Sequence, residues 1–251
     1  MPRVLLLAGT AEARALAAAL AARTDLSAIA SLAGATQAPA PLALPTRTGG
    51  FGGAEGFVAF LRAERIGAVV DATHPFAARI SARSAMLCRE LAVPYLQLLR
   101  PEWTPQPGDR WHIIAREEEA ADIIPPEARV FLATGPAQID RFAGLSGRQV
   151  ICRRIDASPE PFPWPQGRYV QGRPPFTVAD EEALLRRFRV DWLVTRNAGG
   201  ASGRSKLEAA RRLGLPVAMI ARPAQPDAPQ VGNPAAALDW IERRIWTNAS
   251  F

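Results

Sequence analysis

The sequence has few of the side chains from which metal centres and covalent catalytic sites are built. Its 251 residues include two cysteines, two histidines and one lysine. Cys88 and Cys152 lie far apart, as do His74 and His112, so we expect no bound metal and predict that the thiols are reduced core side chains. The motifs GxSxG and GxxxxGKS/T are also absent, which argues against α/β-hydrolase and P-loop chemistry.

No run of apolar residues approaches the roughly 18 needed to cross a bilayer. Together with the unpaired cysteines, this leads us to expect a soluble, cytoplasmic protein without a membrane partner. The length suits one large domain or two smaller ones.

Charge of one sign dominates, with a formal net charge of +6 that comes almost entirely from arginine; Lys206 is the single lysine. A basic protein suggests nucleic acid as a partner. However, no run of basic residues exceeds two, and we expect no nucleic-acid partner. Arginines also bind the carboxylates and phosphates of polyanionic small molecules. A steep salt dependence of DNA binding would favour the nucleic-acid alternative.

Continuous apolar stretches such as 3–8 alternate with helix-like stretches, which is typical of a parallel sheet covered on both faces. The proline-rich segment 100–110 interrupts this pattern, which then begins again. We predict two Rossmann-like α/β domains with parallel sheets facing each other across a cleft. The predicted domains are residues 1–99 and residues 111–251, joined by a linker at 100–110. The sequence leaves open whether the last helix, 234–246, packs on the first domain.

Three local predictions follow from proline and glycine. Residues 35–53 are expected to form a loop with at most a short strand, and residues 156–177 to be irregular. A helix is predicted over 75–92, with Pro75 in its first turn.

Ligands of open parallel sheets bind beyond the carboxyl ends of the strands, so the residues directly after each strand are candidate site residues. Five such ends carry threonine, serine or glycine. The cofactor candidates among them are Gly9, Thr10, Ser31, Leu32, Ala33, Thr73, His74 and Pro75; the substrate candidates are Thr134, Gly135, Thr195, Arg196, Asn197, Gly199 and Gly200.

The pair Gly9-Thr10 lets the chain turn closely and exposes the N–H groups at the start of a helix, which favour a phosphate. Arg14, one turn later, could add a charge-assisted hydrogen bond. A tight turn followed by an N-cap threonine would explain the same residues without a ligand.

The end of the second strand bears on the choice of dinucleotide. NAD sites usually carry an acidic residue there for the ribose 2′-hydroxyl, whereas this sequence has no acid between Asp25 and Glu55. This favours NADP, with the 2′-phosphate held by Ser31, backbone N–H groups and a nearby arginine. The alternative is that this strand end binds nothing.

His74 lies at a strand tip where a nicotinamide would sit, and it could position the cofactor or donate a proton. Its alternative role is to cap the following helix. Lys206 falls in the first turns of a helix beyond the glycine-rich strand end, where a lone lysine is otherwise a solvated surface group. His112 is expected on a strand face without a chemical role.

Several segments, in this order along almost the whole chain, resemble the precorrin-6A reductase family of cobalamin biosynthesis. The combination of the NAGG…K segment with DATHPFA is specific for this family. Arg196 departs from the pattern, since a lysine is expected before the asparagine. The segments are GTAEAR (9–14), SLAG (31–34), GGFGGAEGF (49–57), VDATHPFA (70–77), RPEW (100–103), LATG (132–135), GRPPF (172–176), LVTRNAGGASGRSK (193–206) and LPVAMIARP (215–223).

The resemblance implies an NADPH-dependent oxidoreductase that reduces one C=C bond of precorrin-6A to give precorrin-6B. The substrate is a tetrapyrrole-derived macrocycle with a rim of carboxylates, which suits an arginine-rich protein. Neighbouring pathway enzymes are a further possible class of partner. The resemblance leaves the proton donor open among His74, Lys206 and water. The resemblance also implies that residues 1–99 bind NADPH and that residues 111–251 bind the substrate. Arg173 and Lys206 join the second-domain strand ends as substrate-binding candidates.

Two other enzyme or binding classes stay open on the residues alone. A short-chain reductase would need a Tyr-x-x-x-Lys pair, and neither Tyr95 nor Tyr169 lies four residues before Lys206. A non-enzymatic NADP-sensing protein would bind the cofactor without turning it over.

Overall fold

The computed structural model describes residues 3–34, 41–157 and 159–248. The chain forms two compact units. Unit 1 contains the described residues up to Pro101 and from Pro223 onward, and unit 2 is Glu102–Arg222. Each unit has a six-stranded parallel sheet, which confirms the predicted fold class of two parallel α/β domains.

Strands and helices alternate along most of the described chain. In chain order the elements are β1 (Arg3–Ala8), α1 (Ala11–Ala21), β2 (Ser27–Leu32), β3 (Thr46–Thr48), α2 (Gly53–Ala63), β4 (Ile66–Ala72), α3 (Ala78–Glu90), β5 (Tyr95–Leu98), β6 (Arg110–Ile114), a 3₁₀ helix (Glu117–Glu119), α4 (Ala120–Ile123), β7 (Arg129–Leu132), a second 3₁₀ helix (Pro136–Leu145), β8 (Gln149–Arg154), β9 (Gly167–Gln171), α5 (Val178–Arg187), β10 (Trp192–Arg196), α6 (Ser205–Arg212), β11 (Pro216–Ile220), β12 (Gln230–Val231) and α7 (Pro234–Asn248).

The strand order is β12-β5-β4-β1-β2-β3 in unit 1 and β6-β11-β10-β7-β8-β9 in unit 2. Apart from the edge strand β6, which comes first in unit 2, the chain in each unit fills one side of the sheet and then returns to fill the other. The direction reverses between β1 and β4 in unit 1 and between β7 and β10 in unit 2. Open parallel sheets bind their ligands at such a reversal point.

The apolar runs of the central strands are buried on both faces of each sheet. In β1, Leu6 packs with α1 and α7 on one face, whereas Leu5 and Leu7 pack with α2 and α3 on the other. Helices on both faces explain why these strands are continuously apolar instead of alternating.

The return segment after Pro223 belongs to unit 1, whereas the sequence pattern assigned 111–251 to the second domain and left only the last helix, 234–246, open to packing on the first. β12 pairs with β5, and α7 packs against α1 through buried Ala237 and Ile241. The edge strand β12 of unit 1 therefore follows β11 of unit 2 along the chain, and the edge strand β6 of unit 2 follows β5 of unit 1. Much of the predicted linker also belongs to unit 2, since Glu102 begins that unit.

Two local predictions differ from the structure. Strand β9 lies inside the segment expected to be irregular, and pairs with β8. Helix α3 begins at Ala78 instead of at Pro75, because the N–H of Ala77 closes a turn onto the carbonyl of His74 (2.7 Å). Within the loop predicted over 35–53, residues 35–40 lie outside the described part, and β3 is the short strand that the prediction allowed. No described helix is both long and apolar enough to span a membrane.

Candidate active site

Gly9 and Thr10 follow β1 at the reversal point of unit 1. A Cβ atom on Gly9 would lie 3.6 Å from both Thr73 Cα and the His74 nitrogen, so the ends of β1 and β4 are adjacent. The Thr10 hydroxyl accepts from Ala13 N (3.1 Å), which makes Thr10 the N-cap of α1, and it donates to the carbonyl of Ala72 (2.9 Å). Gly9 itself is exposed.

The charged groups of the first turn of α1 have partners. Glu12 accepts from Arg100 at 2.7 Å, and the Arg100 side chain is only 9% exposed. This ion pair balances the one carboxylate that would repel a phosphate at the helix start. Arg14 is exposed and donates to the carbonyl of Pro41 (3.0 Å), beyond the end of β2.

An arginine lies beside the end of β2. Arg47, on β3, donates to Ser31 Oγ (2.7 Å) and to the carbonyls of Gly49 (2.9 Å) and Gly50 (2.8 Å). Its guanidinium carbon lies 4.1 Å from the centre of the Phe51 ring. These contacts hold a half-buried cation at the position where an NAD-specific site would carry an acid.

Leu32 and Ala33 continue the same strand end. The carbonyl of Leu32 accepts from Gly49 N (2.9 Å), and Ala33 is exposed. Both residues therefore lie next to the loop that follows Arg47.

The end of β4 presents Thr73, His74 and Pro75. The buried Asp71 accepts from the N–H (3.0 Å) and the hydroxyl (2.7 Å) of Thr73 through Oδ1, and from the hydroxyl of Tyr95 (2.7 Å) through Oδ2. Burial, and next the charge of Asp71, raise the pKa of Tyr95, so its hydroxyl stays protonated as a donor.

His74 Nδ1 accepts from Phe76 N (3.3 Å), so a neutral His74 ring carries its proton on Nε2. The N-cap of α3 is Ala77, without a side-chain cap, so the structure does not support the helix-capping alternative for His74. Pro75 is buried, and its carbonyl accepts from Gln225 Nε2 (3.1 Å), which belongs to the return segment.

In unit 2, Arg196 is engaged in an internal cluster. Its Nη2 lies 3.0 Å from Glu117 Oε1, its Nη1 lies 3.4 Å from the carbonyl of Thr134, and it also bonds to the side chain of Gln138. The buried Glu117 pairs in addition with Arg141 (2.7 Å). The predicted substrate arginine is thus already paired with a carboxylate of its own unit.

The end of β7 lies beside this cluster. The Thr134 hydroxyl oxygen is buried and has no hydrogen-bond partner among the described residues. Gly135 has a φ of 79° and leads into an irregular 3₁₀ helix that begins with Pro136. Since Thr134 bonds to Arg196, the structure brings together these two predicted strand ends.

The Asn197 side chain is bonded to the segment that precedes β6. Its Oδ1 accepts from Trp103 N (2.9 Å), and its Nδ2 donates to Glu102 Oε2 (3.0 Å) and the Trp103 carbonyl (3.1 Å). Both amide N–H groups are therefore used, and none is left for a substrate carboxylate. Thr195 is 2% exposed and lies inside β10, so its side chain presents almost no surface to a ligand in this conformation.

Lys206 lies next to the glycine-rich loop. Its Nζ donates to the carbonyl of Gly203 (2.7 Å) and lies 5.4 Å from the centre of the Trp103 ring. Gly199 and Gly200 have φ values of 67° and 75°, which explains the glycine pair, and the Trp103 indole N–H donates to the Gly200 carbonyl (2.7 Å).

Arg173 is not brought to the same place. It follows the edge strand β9, three strands away from β10, and pairs with Asp156 (2.7 Å). Its side chain is more than half exposed.

The described residues contain no group of three histidine, cysteine or acidic side chains that could hold a metal ion. Cys88 and Cys152 are free and buried, as the sequence predicted. Burial raises the pKa of each thiol to about 12, so neither is a nucleophile at neutral pH.

Sequence reasoning missed four side chains that shape these sites: Arg47, Asp71, Trp103 and Glu117. Asp71 lies inside VDATHPFA and Trp103 inside RPEW, two segments that carry the resemblance, and Arg47 lies two residues before GGFGGAEGF, so these three could have been found. Glu117 carried no signal, because its role depends on a contact with a residue 79 positions away.

Comparisons with known proteins agree on one family. A family model described as "Precorrin-6x reductase CbiJ/CobK" matches residues 3–242. A Rhodococcus erythropolis protein named precorrin-6A reductase is 45% identical over 243 residues, 96% of this chain and 98% of its own. A Mycobacterium tuberculosis (strain CDC 1551 / Oshkosh) protein of the same name is 46% identical over 247 residues, 97% of this chain and 96% of its own.

A solved structure named "CobK precorrin-6A reductase" has a TM-score of 0.91 and 41% sequence identity, and the match covers 97% of each chain. The similarity therefore extends over both units. The resemblance seen in the sequence is confirmed: this chain belongs to the precorrin-6x reductase family.

Proposed function

We propose that this protein reduces one C=C bond of precorrin-6A to give precorrin-6B, with NADPH as the reductant. A hydride passes from the nicotinamide to one carbon and a proton is added to its neighbour, so NADPH leaves as NADP⁺. The observation that carries the proposal is the site at the reversal point of unit 1, in a chain whose family is named for this reduction.

The residues of unit 1 fit a dinucleotide. Gly9 is exposed and adds no side chain at the start of a regular helix, whose first N–H groups lack intrahelical partners and attract phosphate. The charge of Glu12 is balanced by Arg100. Arg14 supplies a cation on the same turn.

The preference for NADPH over NADH rests on Arg47. A guanidinium that is fixed by Ser31 and two carbonyls still has two of its five N–H groups for a ligand. A 2′-phosphate is the group that such a cation would bind at the end of β2.

The carboxylates of the macrocycle are the ligands we assign to unit 2. Lys206 is the contact that the geometry favours, because its ammonium lies over Trp103 beside a glycine-rich loop. Arg196 is a weaker candidate, since a substrate carboxylate would have to share it with Glu117.

His74 lies beside Gly9, where the nicotinamide half of the cofactor would extend across the reversal point. We assign it to the shape of the nicotinamide pocket, with water as the proton source. If His74 were the general acid, His74→Ala and His74→Asn would each lower kcat by roughly 10²- to 10⁴-fold and remove one limb of the pH–kcat profile. An unchanged profile supports the pocket role.

The decisive experiment is anaerobic incubation of the purified protein with precorrin-6A and NADPH. We expect one reduced nicotinamide to be consumed per macrocycle, and the product to gain two hydrogens by mass spectrometry. Cofactor binding without any change in the macrocycle would reject the reductase and favour an NADP-sensing protein.

A further inference from the structure

Asp71 and Thr73 form a buried hydrogen-bond arrangement whose polarity is fixed. Asp71 Oδ1 accepts from the backbone N–H of Thr73 at 3.0 Å, and this donor cannot reverse. The same oxygen lies 2.7 Å from the Thr73 hydroxyl. Since Oδ1 already faces an N–H group, the Thr73 hydroxyl must be the donor to it.

The second hydroxyl contact of Thr73 is thereby also fixed. Ser81 Oγ lies 3.3 Å from Thr73 Oγ1, and either oxygen could donate on distance alone. The Thr73 proton is already directed to Asp71, so Ser81 is the donor. The Thr73 oxygen then has one lone pair left, and no other described residue bonds to it.

The remaining lone pair is at the reversal point of unit 1. Thr73 is half-buried, and its Cα lies 3.6 Å from where a Cβ on Gly9 would be. On the proposed function, the nicotinamide half of the cofactor lies on the β4 side of this point. The carboxamide is the one part of that half with N–H donors.

We propose that the Thr73 hydroxyl accepts a hydrogen bond from the carboxamide N–H₂ of the nicotinamide, and that Asp71 is the positioning residue that keeps this hydroxyl an acceptor. The inference rests on the proposed function and names its orienting contact. A buried carboxylate with three donors and no cation within bonding distance among the described residues is costly to maintain, and the role of orienting Thr73 gives it a function.

The test compares NADP⁺ with its 3-acetylpyridine analogue, in which a methyl group replaces the carboxamide nitrogen. Calorimetry gives the affinity ratio of the two ligands for each variant. For the wild type we expect NADP⁺ to bind about fivefold more tightly or better, as for one hydrogen bond that leaves a buried acceptor when lost. Thr73→Val should bring the ratio to about one, whereas Thr73→Ser should preserve it.

Asp71 is tested in the same way. Asp71→Ala frees the Thr73 hydroxyl to rotate, so the ratio should fall between those of wild type and Thr73→Val. Tyr95→Phe is the matched control, since it removes a bond to Asp71 Oδ2 but none to Thr73, and it should keep the wild-type ratio. A variant that only loosens the fold would weaken the binding of both ligands equally and leave their affinity ratio unchanged.

Each outcome decides the inference. The inference is overturned if the wild type binds NADP⁺ and the analogue equally well, a result that needs no variant. It is also overturned if Thr73→Val keeps the affinity ratio of the wild type. A wild-type ratio in Asp71→Ala would remove the positioning role of Asp71. Failure of the wild type to bind NADP⁺ at all would overturn the proposed function along with the inference, and so is distinguishable from the other results.

Discussion

Replacing Arg47 with alanine should weaken NADPH binding by roughly 10- to 100-fold and change NADH binding little. The Arg47 guanidinium donates three of its N–H groups to Ser31, Gly49 and Gly50, and two N–H groups remain for a 2′-phosphate. A single hydrogen bond to a charged group is worth about 1.5–3 kcal/mol, and about 1.4 kcal/mol corresponds to a tenfold change in affinity.

The assay is calorimetric titration of each variant with NADPH and with NADH at one ionic strength, because salt screens exposed charges. Arg14→Ala is the matched control. It removes a cation near the pyrophosphate, which both cofactors share, and should weaken both to the same extent. Arg47→Lys keeps the charge without the planar fork and should give an intermediate loss for NADPH.

Two results would refute this reasoning. If Arg47→Ala weakens NADH as much as NADPH, the arginine acts by holding the Gly49–Gly50 loop and not by binding phosphate. If wild-type protein binds NADH as tightly as NADPH, the absence of an acid after β2 has no bearing on the 2′-phosphate.

Four further outcomes are expected. Gly9→Val should fold normally, by circular dichroism, but lose NADPH binding in calorimetry, because its methyl groups occupy the space of the pyrophosphate. Asn197→Ala should lower the free energy of unfolding in urea by about 2–3 kcal/mol, since buried backbone partners are left unpaired. Lys206→Met should raise the KM for the macrocycle about tenfold and leave NADPH affinity unchanged. Cys88 and Cys152 should resist alkylation at pH 8 in the folded protein and react in urea, because burial raises their pKa to about 12.

Each of these has a contrary result. Normal NADPH affinity in Gly9→Val would move the phosphate site elsewhere. An unchanged urea midpoint and slope for Asn197→Ala would mean that its three bonds contribute nothing net. A large loss of NADPH affinity in Lys206→Met would reverse the assignment of ligands to units. Rapid alkylation of native protein would show that the thiols are not buried.

The sequence was sufficient to locate strand ends, because that depends on local patterns. Gly9 and Thr73 directly follow β1 and β4, as the alternation of apolar strands and helices predicted, whereas Ser31 lies one residue before the end of β2. It was not sufficient to say what each side chain contacts. Arg196 looked available for a ligand, but its partner Glu117 is distant in the sequence, and nothing local marks that pair.

Domain assignment was limited for a related reason. A two-residue strand such as β12 has no periodicity to detect, and α7 has an apolar face that would suit either sheet. Packing decides which unit holds α7, because Ile241 is buried in the core of unit 1 beside α1. Proximity along the chain therefore favoured the second domain for residues 223–248, which lie in unit 1, and only the option left open for the last helix agrees with the structure.

The two units share one strand arrangement, apart from the edge strand that comes last along the chain in unit 1 (β12) and first in unit 2 (β6), so topology alone cannot decide which unit takes the dinucleotide. The helix after the central strand, β1 in unit 1 and β7 in unit 2, differs between them. In unit 1, Thr10 caps a regular 11-residue helix, whose aligned N–H groups favour phosphate. In unit 2, the corresponding helix is a 3₁₀ helix that begins with Pro136, which has no N–H, and its dihedral angles are non-helical at Gln138 and Phe142. Such a helix cannot align its dipoles on an anion, and the cations that unit 2 offers instead are side chains suited to separate carboxylates. The difference between the two helices supports the assignment of NADPH to unit 1 and of the polycarboxylate macrocycle to unit 2.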